Sequence, residues 1–224
     1  MKMIERKTMI VKQLDIAITN LCNARCPQCA RTNVNGLKTN DWLPLDTWTF
    51  EDFERQFPIE TLNDVGEYSF CGTWGDPMMC KDIQKIVQYI MDKSNSNVLI
   101  TTNGSIRNED FYWNMGILCG KRLSIVFDID GINEDMHQKY RRGASLKKCL
   151  ANMSTLSETK SIVLSQTILF KHNQDYIKEI KKLVKDNGSS NHVFYRSDRF
   201  ENEEGIFTFT NEQGKIEHLE RADA

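Results

Sequence analysis

Thr19-Asn20-Leu21-Cys22-Asn23-Ala24-Arg25-Cys26-Pro27-Gln28-Cys29 places three thiols at C-x3-C-x2-C spacing, directly behind the apolar, strand-like run Leu14-Asp15-Ile16-Ala17-Ile18. Three cysteines can hold an iron–sulfur cluster, yet they leave one iron of a four-iron cluster without a protein ligand. That vacancy is a position for a substrate or a cofactor. With seven cysteines in 224 residues, the pattern is expected by chance about 0.01 times. It therefore marks a site.

Working outward, the whole chain sets few further constraints. It is 40% hydrophobic and 27% charged, ordinary for a globular domain, and long enough for a sizeable core. A formal net charge of −2 gives no electrostatic basis for a nucleic-acid or anionic-membrane partner. Lys178, Lys181, Lys182 and Lys185 recur at helical spacing and read as a solvated helix face. No apolar run approaches the ~18–20 residues of a bilayer span. Met1 to Lys7 lacks the pattern of a signal peptide. A cytoplasmic protein is the expectation, with its odd number of cysteines present as thiols or metal ligands.

Residues 9–19 read as a first strand and residues 31–45 as a connecting loop, after which Asp46 is placed to cap a helix over Thr47 to Gln56, ended by Pro58. Val65 to Phe70 is a second strand that runs into the turn Cys71-Gly72-Thr73-Trp74-Gly75-Asp76-Pro77. A helix over 80–93, a strand Asn97 to Thr102, a helix carrying Phe111, Met115, Leu118 and Cys119, and a strand Arg122 to Phe127 follow. Helical segments at 133–141 and 145–157 lead to a fifth strand, Ser161 to Phe170. Tyr176, Ile177, Ile180, Leu183 and Val184 then line one face of a helix closed by Asn187-Gly188, and His192 to Tyr195 is a sixth strand. Residues 205–224 form a tail with hairpin signals around Asn211 to Gly214, leaving 1–204 as the main domain. Strands alternating with helices imply parallel βαβ units and an α/β sheet or partial barrel.

Polar and glycine-rich residues fall at the carboxyl ends of the first four strands: the cysteine loop, Gly72 to Pro77, Thr101 to Gly104, and Asp128 to Gly131. In parallel α/β folds those ends share one rim, where active sites are built. Together with Tyr140-Arg141-Arg142-Gly143, these segments resemble the radical S-adenosylmethionine (SAM) superfamily in order and spacing over roughly residues 10–200. The lead-in Thr19-Asn20-x-Cys22-Asn23 is similar to the branch with molybdenum-cofactor, quinone-cofactor and peptide-modifying members.

The resemblance implies a partial (β/α)6 barrel with its helices outside. It implies that Cys22, Cys26 and Cys29 hold a [4Fe–4S] cluster whose open iron takes the amino and carboxylate groups of SAM. An external electron donor would then drive cleavage to methionine and a 5′-deoxyadenosyl radical, which takes hydrogen from a peptide or small-molecule substrate. By the same resemblance, Gly75 and Asp76 lie against the methionine amine through backbone groups. Asp128 stands near the ribose or methionyl part, completed by Asp130 and Arg141, and Thr102 and Asn103 line the same rim. Gln28 departs from the aromatic residue common before the third cysteine, which weakens an expected adenine contact. Asp76 shortens the usual Glu. The chain has no further cysteine-rich segment for an auxiliary cluster, and the glycine-rich N-terminal segment of deazaguanine-synthesis relatives is missing.

Two other readings compete. The thiols could bind zinc, although structural zinc sites usually pair short-spaced ligands and no second C-x2-C or H-x3-H exists. The chain could be a non-catalytic iron–sulfur or partner subunit. Cys71, Cys80, Cys119 and Cys149 read as buried thiols without a special role. Trp74 is a candidate pocket wall, His172 a loop residue, and Trp42, Trp48 and Trp113 core or interface residues.

Overall fold

The computed structural model describes residues 11–223. Within them run β1 (Leu14–Asp15), α1 (Phe50–Gln56), β2 (Glu67–Phe70), α2 (Ile83–Lys93), β3 (Asn97–Thr102), α3 (Glu109–Cys119) and β4 (Leu123–Asp128). Then come α4 (Glu134–Gln138), α5 (Leu146–Ser157), β5 (Ile162–Leu169), α6 (Ile177–Asp186), β6 (Asn191–Arg196), β7 (Ile206–Thr210) and β8 (Ile216–Glu220).

The first six strands form one sheet in the order β1-β2-β3-β4-β5-β6, every neighbouring pair parallel. The order never reverses, so the winding goes one way around, as in a barrel, rather than switching as in a doubly wound sheet. Among the described residues no pairing joins β1 to β6, which leaves the barrel partial.

Period-two alternation divides each strand. Val98, Ile100, Leu123, Ile125, Phe127 and Val163 are buried and pack in one core with Ile83, Ile86, Val87 and Ile90 of α2 and Ile180 and Val184 of α6. The opposite face carries Thr101, Val126, Asp128 and Gln166 in register. Parallel strands put all their carboxyl ends on one side, and the sequence loads those ends with polar groups. The four lysines of α6 are exposed, as a solvated face requires.

Two local expectations change. The pairing of the first strand shrinks to β1, with an isolated bridge from Val11 to Val65, because Ile16 still donates to Ser69 O but Thr19 and Asn20 turn toward residues 46 and 47. Residues 9 and 10 lie outside the described residues. Asp46 is drawn into that same contact, its N–H donating to Asn20 Oδ1 at 2.6 Å. The cap of α1 passes to Thr49, whose hydroxyl accepts from the Asp52 N–H while the Asp52 carboxylate accepts from the Thr49 N–H. Such a cap contributes about 1 kcal/mol.

The tail pairs as an antiparallel hairpin, β7 with β8. It adds a second core, in which Phe209 and Leu219 pack with Cys26, Leu37, Tyr140, Phe170 and Phe200. Thr210 exchanges backbone hydrogen bonds with Val34 and Gly36, so the hairpin backs the segment that follows the cysteines. Burying each of the two side chains contributes about 1.5–3 kcal/mol.

Candidate active site

The cysteine loop is tied down by backbone and side-chain contacts from distant segments. Asp76 N–H donates to Leu21 O at 2.8 Å, Arg25 N–H to Arg142 O at 2.8 Å, and Cys29 N–H to Cys26 O at 3.0 Å. Asn103 Nδ2 donates to Asn23 Oδ1 at 2.8 Å and lies 3.9 Å from Cys22 Sγ. Cys26 is buried, Cys22 and Cys29 half-buried, and all three line one cleft. Three thiols lining one cleft suit a cluster that leaves one iron open to another ligand.

The far wall of the cleft is the turn after β2. A Cβ on Gly75 would stand 2.4 Å from Thr19 O and 2.7 Å from Asn20 Cα, so only glycine lets this turn lie against the backbone leading into the cysteines. Asp76 follows and turns its carboxylate away from the loop. It accepts from Met78 N–H (3.0 Å), Asn103 N–H (2.8 Å) and Thr102 Oγ1 (2.9 Å), joining the ends of β2 and β3. The Thr102 side chain is thus spent on Asp76, and that of Asn103 on Asn23 and Ser105.

Burial pushes the Asp76 carboxyl up to about 6, against the pull of those donors. A folded value above the unfolded one means that the folded state binds the extra proton between them. The associated stability is present below about pH 4 and is lost as pH rises to about 6, an effect of about 3 kcal/mol. Unfolding measured across that window is expected to show the stability difference between wild type and Asp76→Asn falling by this amount as pH rises.

At the end of β4, Arg141 bridges two carboxylates. Its Nη1 lies 2.9 Å from Asp128 Oδ2 and its Nε 2.5 Å from Asp130 Oδ2. Gln166 Nε2 donates to the other oxygen of Asp128 at 2.6 Å, and Ile168 N–H to the other oxygen of Asp130 at 2.7 Å. Burial raises the Asp128 carboxyl above its usual range, with Arg141 pulling it back. Asp128 and Arg141 line the cleft, whereas Asp130 is wholly buried and stands behind Arg141 as its anchor. Arg142 points elsewhere, pairing with Glu212 and Glu217 of the hairpin region.

Nine of the ten residues marked in the sequence line the cleft: Cys22, Cys26, Cys29, Gly75, Asp76, Thr102, Asn103, Asp128 and Arg141. The Asp76 and Thr102 side chains are bonded to each other and that of Asn103 to Asn23 and Ser105. Other details differ from expectation. Gln28 does not face the cleft: its Nε2 donates to Arg199 O at 2.9 Å and its Oε1 accepts from Ser197 at 2.8 Å, which clamps the loop to the segment after β6. Cys71 is exposed, not buried, because it is the first residue past β2 and lines the cleft mouth. Cys80, Cys119 and Cys149 are buried as expected. Trp42 and Trp113 are exposed, while Trp48 packs against the core. Trp74 meets Trp42 edge-on at 5.4 Å beside a separate hollow with Leu43 and Trp48. His172 stacks on Phe170 away from the cleft.

Sequence reasoning missed Arg31. It is 4% exposed and donates to Trp74 O (3.0 Å), Asn20 O (3.3 Å) and Ala24 O (3.4 Å), stapling the cysteine loop to the glycine turn. A lone arginine in a polar stretch carries no local signal of this.

The donor set fits a cluster. Burial pushes the Cys22 thiol up to about 11, with Asp76 adding to the rise and Arg31 opposing it, and burial raises Cys26 further. Thiols raised in this way hold their protons near neutral pH, so metal binding must release them.

A one-way parallel partial barrel with three thiols on its carboxyl-end rim defines a class of metallocluster enzyme. The Radical SAM superfamily model matches residues 16–184, and the chain belongs to that family, whose enzymes use a [4Fe–4S] cluster and SAM. Among curated relatives, GTP 3′,8-cyclase of Clostridium botulinum is 26% identical over 187 residues, 82% of this chain and 56% of the relative. The chain thus spans about half the length of the curated relatives it matches. Streptococcus suis SuiB bound to precursor peptide SuiA superposes with a TM-score of 0.64 at 16% identity, covering 83% of this chain and 39% of SuiB. Native anSMEcpe with bound AdoMet gives 0.63 at 13% identity, covering 82% of this chain and 50% of that one. These two likenesses speak for the fold. Among the described residues no helix is long and apolar enough to cross a membrane.

Proposed function

We propose that the chain is a radical SAM enzyme in which Cys22, Cys26 and Cys29 hold one [4Fe–4S] cluster and the rest of the cleft holds SAM, acting on a peptide. The observation that carries this reading is the convergence of three thiols, the Gly72–Gly75 turn and the Asp128–Arg141 pair on one cleft. When bound and reduced by an external donor, the cluster supplies the electron that splits SAM into methionine and a 5′-deoxyadenosyl radical.

The chain's own groups bind and orient. The backbone of Gly75 and Asp76 offers polar groups to the methionine amine, and the Asp128 carboxylate, fixed by Arg141 and Gln166, accepts from the ribose or the amine. Leu37, Phe170, Phe200 and Phe209 behind Cys26 keep water from the loop.

A peptide is favoured over a nucleoside triphosphate by the charges. Triphosphate recognition calls for several uncommitted cations, but of the two arginines lining the cleft Arg141 is already paired with Asp128 and Asp130, and Asp76 adds a further carboxylate. The likeness in fold to a protein solved with a precursor peptide agrees. The similarity to GTP 3′,8-cyclases favours the second reading, a nucleotide substrate.

The test is anaerobic reconstitution of the chain with iron and sulfide, followed by dithionite and SAM. Formation of 5′-deoxyadenosine is expected; none from a fully loaded sample would overturn the enzyme reading and leave a cluster-binding subunit. Acceleration by GTP, with GTP consumed, would replace the peptide by the nucleotide.

A further inference from the structure

Arg31 is a buried cation whose donors, among the described residues, meet three carbonyl oxygens and no carboxylate. Arg141, the other arginine of the cleft, shows the contrast: two carboxylates hold it. A buried guanidinium bonded only to neutral acceptors keeps its full charge uncompensated, which is costly unless an anion occupies the space it faces. What it faces is the cleft lined by Cys22, Cys26 and Cys29.

We infer that Arg31 is the charge partner of the cluster: it positions the cysteine loop through its three carbonyl contacts and raises the cluster's reduction potential with its buried positive charge. The inference rests on the cluster reading above. Three thiolates on a [4Fe–4S] core form an anion, and reduction adds one more negative charge. A fixed cation in a low-dielectric wall stabilises the reduced form more than the oxidised one, so its charge makes the electron easier to accept. The two roles separate by chemistry. The planar fork reaches three carbonyls at once, which lysine cannot do, while lysine keeps the charge.

The experiment uses the full chain, reconstituted anaerobically without SAM, with iron content measured and the cluster titrated by low-potential mediators under electron paramagnetic resonance. Arg31→Gln is expected to take up the cluster less completely and to shift its potential to more negative values. Arg31→Lys is expected to lose iron faster than wild type, its loop being less firmly held, while keeping a potential close to wild type. Loading of Arg31→Lys but not of Arg31→Gln would also support the inference, since lysine keeps the positive charge that glutamine removes. An unchanged potential in Arg31→Gln overturns it, as does an equal shift in both variants. If neither variant loads, Arg31 is a loop anchor alone and the charge role is overturned. A wild-type chain that takes up no cluster overturns the cluster reading itself, a result distinguishable from all of these.

Discussion

Replacing Cys26 by Ala is expected to leave a folded chain without its cluster and to drop 5′-deoxyadenosine formation to background. The thiol sits 8% exposed between Ala24, Tyr140 and Phe170, so truncating one sulfur leaves a small cavity whose cost, about 1–2 kcal/mol, a domain with two cores can absorb. Ligation has no such reserve. With two thiols remaining, two irons of a four-iron cluster would lack protein ligands. Iron per chain, the visible absorption of the reconstituted sample and product formation should fall together, while circular dichroism and the cooperative unfolding of the empty protein persist. Cys119→Ala is the control for a buried thiol outside the cleft, and it should retain iron. Cys71→Ala is the more demanding control, because Cys71 lines the same cleft. Retention of the cluster there, and its loss in Cys26→Ala, would assign ligation to the C-x3-C-x2-C set; loss in both would put Cys71 among the ligands.

What the sequence made legible follows from how local each signal is. β2 to β5 and the helices between them announce themselves by period, since a strand face or helix stripe is written within a few residues: Ile83, Ile86, Val87 and Ile90 all lie in the core. The glycine turn and the cysteine loop were legible because their chemistry is in their spacing. Contacts across 100 residues or more left no trace. Gln28 looked like a weakened cofactor contact, yet its partners are Ser197 and Arg199, which no pattern around position 28 could reveal. Arg31 is hidden for a different reason: two of its acceptors, Asn20 O and Ala24 O, lie in the nearby cysteine loop and the third, Trp74 O, in the glycine turn, and a lone arginine in a polar stretch does not reveal which carbonyls it meets. Asp46 had the right chemistry for a cap but was drawn away by Asn20, so Thr49 took the role. Even the choice between neighbouring arginines, Arg141 facing the cleft and Arg142 facing the hairpin, depends on segments beyond residue 200.

That choice carries the second large effect. Arg141→Met is expected to cost about 3–5 kcal/mol near neutral pH, because it leaves Asp128 and Asp130, with side chains 10% and 0% exposed, buried without their cation. The sign of its pH dependence follows from Asp128. Burial already raises this carboxyl, with Arg141 opposing the rise, so removing Arg141 raises it further. A carboxyl whose folded value lies above the unfolded one, about 4, is penalised as pH climbs through that interval. The deficit of Arg141→Met should therefore be largest at pH 8 and shrink as pH falls toward 4, read as converging unfolding midpoints of variant and wild type. Adding Asp130→Asn should return part of the lost stability, since the amide oxygen can still accept from Ile168 N–H while one buried charge disappears. SAM affinity should fall in both variants, because Asp128 would keep Gln166 as its one side-chain partner and lose its fixed orientation. Arg142→Met removes an equally sized side chain one residue away, but its partners Glu212 and Glu217 are 23% and 36% exposed. About 0–1 kcal/mol per pair, reduced by salt, is the expected cost. Equal losses of stability and of SAM affinity in the two arginine variants would mean that the cleft does not distinguish them, and the assignment of Arg141 to the cofactor wall would fall.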